Sequence, residues 1–148
     1  MPFRPLSRFL PHPSVWGRLL RDPTRPARTS ASVGLGALVG ATPILGVHTW
    51  LAAVLAGIFR LPPAAAVLGS NLSNPLTVIP LTLLEIRCGS WMMGRALPSL
   101  SGEWSWSMLA PYLGAAWVGA IPVGLAMGVL SGGVVYLLLR LRGRASSP

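Results

Sequence analysis

Three tracts without one formally charged side chain govern what this chain can become: residues 31–59, 61–84 and 116–139. Soluble domains carry about 25% charged residues, interspersed over a polar surface. This chain has 10% charged and 52% hydrophobic residues, with a mean hydropathy of +0.61. That balance argues against a soluble monomeric enzyme. It also argues against intrinsic disorder, which needs low hydrophobicity and high charge. An all-α integral membrane protein is the expected fold class, with three main hydrophobic helical segments.

None of the three tracts reads as a plain rod. As one helix, residues 31–59 would be about 43 Å long, against a hydrocarbon core of about 30 Å. A break near Pro43, between Gly40 and Gly46, resolves the mismatch. In the second tract Pro62 or Pro63 opens a helix, and Leu72-Ser73-Asn74-Pro75 is a stop-and-restart signal. Asn74 is a favoured N-cap and Pro75 a favoured first helical residue. Helical pieces are therefore expected over about 63–70 and 75–97, meeting at an unwound or re-entrant segment. Irregular backbone at membrane depth needs protein or a wet cavity around it. Residues 98–115 read as an interfacial turn carrying Trp104, Trp106 and Tyr112. Residues 116–139 are the clearest span, with Leu, Ile and Val throughout and no charge until Arg140.

The organisation follows from where charge lies. Residues 1–30 form a basic, proline-rich segment, expected on the cytoplasmic side, with a short interfacial helix over Ser14–Arg21. Residues 31–140 form the membrane domain and 141–148 a basic tail. All 12 basic residues are Arg, and the net charge is +9. Six precede the first tract and three follow the last, a placement that suits anionic headgroups rather than nucleic acid. Three plain spans put eight Arg inside and four outside. A re-entrant second tract makes nine and three, and a re-entrant first tract ten and two. All three arrangements place the N-terminus in the cytoplasm of an inner-membrane, multi-pass protein. The N-terminal segment lacks the apolar core of a cleaved signal. Cys88 is the single cysteine, so neither an intramolecular disulfide nor a Cys-based metal site is expected.

Two stripes of small residues recur every four positions: Ser32, Gly36, Gly40, and Ala116, Ala120, Gly124, Gly128, Gly132. Such stripes let helix backbones approach closely. They are expected to pack on each other or on a second copy.

The residues from about Arg28 to Gly94 resemble a bacterial membrane family, domain of unknown function 2062. The pieces that carry the likeness are S-V-G-L-G-A-L-V-G at 32–40, T-P-I-L-G-V-H-T at 42–49, L-A-A-V-L-A-G-I-F-R at 51–60, A-A-A-V-L-G-S at 64–70 and N-P-L-T at 74–77. The resemblance implies an all-helical inner-membrane protein and no particular activity. Relatives that look like extensions of glycosyltransferase-type proteins imply a link to envelope assembly.

Candidate binding residues are His48, Thr49, Asn71, Asn74 and Thr77, the polar side chains set in apolar surroundings. A helix that starts at Pro75 inside the membrane would turn free N–H groups toward an anion. Simple capping by Asn74 explains the same residues without a ligand, and a hydrogen bond that pins broken segments together explains His48. Pro43, Gly46 and Pro75 are expected to shape the breaks. Glu85 and Arg87 are expected at the headgroups. Asp22, Glu85 and Glu103 are the only acids and share no short helical spacing, so no enzyme, cofactor or metal site is expected. The functional expectation is a structural or partner-binding membrane subunit linked to the cell envelope. Its partners would be the lipid bilayer and either a homo-oligomer or an envelope enzyme. The alternative is a small oligomeric transporter or channel-like protein with its polar site at the broken helices.

Overall fold

The computed structural model describes residues 26–43, 46–74, 76–96 and 110–145. These form α1 (Pro26–Gly40), α2 (His48–Ile58), α3 (Pro63–Ser70), α4 (Val78–Met92) and α5 (Leu113–Ala145), the last preceded by a 3₁₀ turn over Ala110–Tyr112. The architecture is all-helical. Pro75 and the Ser14–Arg21 segment lie outside the described residues.

Each helix stops where its sequence withdraws a donor or supplies a reversal. Pro26 stands at the start of α1, where its missing N–H is not needed, so α1 takes in the end of the proline-rich stretch. The helix ends after Gly40, where Thr42 Oγ1 donates to Val39 O at 2.6 Å and Pro43 can donate nothing. Gly46 then takes a positive φ of 85° and α2 begins. At the end of α2, Leu61 N donates to Ala56 O at 2.7 Å across Arg60, whose φ is 55°. This 6→1 bond defines a Schellman turn, with arginine at the left-handed position that glycine usually holds. The end of α4 repeats the turn with glycine, as Arg95 N donates to Ser90 O across Gly94. Pro63 starts α3, which has only eight residues.

The packing fixes the directions. Gly36 lies against Ala66, Gly40 against Ser70, and Ser32 Oγ donates to Pro62 O at 2.6 Å. Later residues of α1 meet later residues of α3, so these helices run parallel. Along α5 the order reverses. Gly132 meets Ser30, Gly128 meets Gly34, and Gly124 meets Leu38. Nearer its start, Gly119 meets Glu85 and Ala115 meets Gly89. Thus α1 and α4 follow one another along α5, both antiparallel to it. The Gly124–Gly132 stripe packs on α1 through Ser30, Gly34 and Leu38, so the two stripes do not pack on each other as expected. The Ser32–Gly40 stripe instead turns to α3.

The core inverts the usual soluble plan. Its buried apolar residues are mainly alanine, among them Ala37, Ala52, Ala56, Ala66 and Ala115, with a few Val and Ile86. The largest fully buried side chains are Glu85, Ser32, Ser70 and Ser90. Large apolar groups point outward: Trp50 is 76% exposed and Trp91 81%, and Ile121, Leu125 and Val129 line the outer face of α5. An exposed apolar surface this extensive is the informative departure, since isolated exposed leucines are ordinary.

Among the described residues only Ala110–Arg144 is long and apolar enough to cross a membrane. The expectation of three such segments is therefore not met helix by helix. The first tract is divided into α1 and α2, and the second into α3 and α4. Turns at Pro43 and Asn74 keep each piece short. The second piece is shorter than expected, ending at Met92, because Gly94 reverses the chain.

The close approaches predict an inverted glycine rule. Alanine is the better helix former by about 0.5–1 kcal/mol, yet a Cβ on Gly36 would collide with the backbone of Ala66. Gly36→Ala and Gly119→Ala should lower the unfolding midpoint followed by circular dichroism. Gly133→Ala, where nothing lies within 4 Å of the added carbon, should hold or raise it.

Candidate functional site

Two turns share one end of the parallel pair α1 and α3: a reversal leading into α2, and a break between α3 and α4, which keep one direction against α5. The first follows Gly40 and the second follows Ser70, and those two residues touch: a Cβ on Gly40 would lie 2.8 Å from Ser70 O. The same level is marked on α5 by Gly124, close to Leu38 and Ala41. Gly124 falls near the middle of the charge-free stretch 113–139. The two turns therefore lie beside the middle of the charge-free part of α5.

The second turn is tied by its own side chains. Asn74 Oδ1 accepts from Leu76 N at 2.9 Å and from Thr77 N at 3.0 Å. Thr77 Oγ1 donates to Leu72 O at 2.6 Å and accepts from Asn74 N at 2.9 Å. Val78 N donates to Asn74 O at 2.9 Å, the first i→i−4 bond of the α4 ladder. Asn74 thus caps two amides that a helix start leaves open. Both side chains are engaged in holding the bend.

The other candidate residues are placed less closely. Asn71 caps the C-terminal end of α3 through its backbone N–H, with its side chain exposed. His48 opens α2 and is half-buried, as is Thr49 after it. Pro43 is half-buried and Gly46 exposed. The packing glycines Gly36, Gly40, Gly124, Gly128 and Gly132 all stand at helix contacts. The structure joins Asn74 to Thr77 directly and brings the two turns to one level.

Sequence reasoning missed the most unusual group. Glu85, expected at the headgroups, is only 2% exposed between α4 and α5. Ser90 Oγ, one turn further on, is buried without a hydrogen-bond partner. A usable signal existed, because Gly89-Ser90 and the small residues Ala115, Ala116, Gly119 and Ala120 give two thin faces. They draw the α4 backbone against α5 and take Glu85 with it. Among the described residues no three His, Cys, Asp or Glu side chains gather as a metal site would need.

These features define a small all-helical protein with two turns at one level, thin glycine-lined contacts and one long apolar helix. The chain belongs to the uncharacterised family conserved in bacteria called domain of unknown function 2062, which it matches over residues 13–147. No curated protein and no solved structure matches it.

The capping geometry predicts that Asn74→Ala costs about 1 kcal/mol of stability. Asn71→Ala should stay within about 0.5 kcal/mol, as for an exposed polar group. Denaturant unfolding of the two variants in parallel checks the difference.

Proposed function

We propose that the chain is a multi-pass protein of the bacterial inner membrane, serving as a structural or partner-binding subunit linked to the cell envelope. The observation that carries this is the inverted core, with alanine, glycine and serine inside and tryptophan, leucine and isoleucine outside. Water would make that surface costly, at about 25 cal/mol per Å² of apolar area. Lipid removes the cost and leaves close backbone packing as the source of cohesion.

In this reading α5 crosses the bilayer and α3 followed by α4 crosses in two pieces. The pair α1 and α2 enters and returns, since 11 residues of α2 reach about 16 Å against a core of about 30 Å. Charge supports the orientation. Arg28, Arg60, Arg140, Arg142 and Arg144 belong to one end, Arg87 and Arg95 to the other, and five more Arg precede residue 26 in the sequence. Ten against two favours a cytoplasmic N-terminus and a cytoplasmic C-terminus.

A bilayer also creates a need for a partner. The turns at mid-depth are uncovered: Leu76 is 85% exposed and Asn71 is exposed. Irregular backbone at that depth requires cover from protein or a water-filled space. A second copy or a larger envelope protein supplies the first. The meeting of two polar turns also favours a transport reading, in which water supplies the second.

Single cysteines placed at Arg60, Arg95 and Arg144 in a Cys88→Ser background test the topology with an impermeant thiol reagent. Arg60→Cys and Arg144→Cys should react only from the cytoplasmic side and Arg95→Cys only from the opposite side. A photocrosslinker at Leu76 should capture protein, with no flux in proteoliposomes. Flux that disappears in His48→Ala would replace the subunit reading with transport.

A further inference from the structure

An open groove of about 590 Å³ runs along the seam of α1 and α5. Its lining is almost wholly apolar. Gly34, Gly128 and Gly132, where α1 and α5 touch, form its floor, and Phe59 and Tyr136 flank it toward the end where the arginines gather. It extends along α1 from Leu38 to Ala27. Those 11 steps measure about 16 Å, half of a 30 Å hydrocarbon core, which is the depth of one leaflet.

The mouth carries the charge that a lipid head would need. The Arg28 guanidinium donates to Arg60 O, beside Phe59 and Leu61 of the groove wall. The Arg140 guanidinium stands 6.0 Å from the centroid of the Tyr136 ring. Among the described residues the only carboxylate is Glu85, which packs on the other half of α5. Arg60 occupies a left-handed backbone position that costs a non-glycine residue about 1–2 kcal/mol. Gly94 fills the equivalent place after α4. Arg60 stands in the chain between Phe59 and Leu61, both of which line the groove.

We propose that this groove binds one anionic phospholipid of the cytoplasmic leaflet. An acyl chain lies along the outside of the α1–α5 seam, and the phosphate is held by Arg28, Arg60 and Arg140. The assignment rests on the membrane reading above. A parallel second copy is the weaker occupant, because it would bring the same arginines against this end.

The test uses the full chain reconstituted into phosphatidylcholine vesicles, with flotation reporting insertion independently of any lipid preference. Protein is then extracted from vesicles holding equal amounts of phosphatidylcholine and phosphatidylglycerol, and retained lipid is read by native mass spectrometry. Phosphatidylglycerol should be retained preferentially. Arg28→Ala and Arg60→Gly should each reduce that preference about fivefold, the equivalent of about 1 kcal/mol per arginine near an anionic surface. Arg60→Gly relieves the backbone, so its loss of lipid is not a loss of fold. Gly133→Trp, at a groove glycine with open space beside it, should displace the lipid while the protein still floats. Flotation with no preference between the two lipids would overturn the lipid site alone, whereas failure to float would overturn the membrane reading. Preference kept in Gly133→Trp would show general surface attraction and overturn the groove. Displacement of the lipid by glycerol 3-phosphate at equal concentration would overturn the role of the acyl chain.

Discussion

Backbone-to-backbone contact between helices is the interaction on which this structure depends. At Gly36, Gly69, Gly89 and Gly119 the neighbouring helix comes so near that even a methyl group would strike its backbone. Large side chains cannot occupy such seams and are driven to the outside. The buried alanines and serines and the exposed leucines and tryptophans are two results of one arrangement. A soluble protein gains most of its cohesion by burying large apolar groups. This chain places them where they cannot contribute in that way, and its cohesion must come from van der Waals contact along thin faces.

Short helices follow from the same design. Proline and glycine divide each of the first two apolar tracts. The pieces can then stack along α5, with α1 on its later half and α4 on its earlier half. Asn74 and Thr77 make the second division self-sufficient by satisfying the amides and carbonyl that the bend exposes. The two turns meet because α1 and α3 run parallel and end together. What covers that meeting point separates the proposed subunit from the proposed transport alternative.

Much of the local structure was legible in the sequence. Pro63 and Asn71 delimit α3 where the reading placed it. The break near Pro43 follows from a tract too long for a bilayer and from a residue with no donor. The Gly124–Gly132 stripe is a helix contact, as its spacing implies. Long-range pairing was less accessible. A stripe states that some backbone comes close without naming which, so the turn of Ser32, Gly36 and Gly40 toward α3 could not be read. The burial of Glu85 was hidden for a related reason. Its own position looks like the end of a span, and only the thin faces of Gly89 and Gly119 draw it into a seam. The start of α1 was masked by prolines, although Pro26 is compatible with a first helical turn.

The central claim is that the apolar exterior faces hydrocarbon while the glycine seams stay closed. Nitroxide labels at Val54, Leu125 and Gly119 in reconstituted vesicles address it directly through collision with oxygen and with a water-soluble nickel chelate. Labels at Val54 and Leu125 should collide readily with oxygen and scarcely with nickel, and the Gly119 label should prevent assembly of the fold. Strong nickel collision at Val54 and Leu125, in a chain that stays monodisperse without detergent, would contradict it.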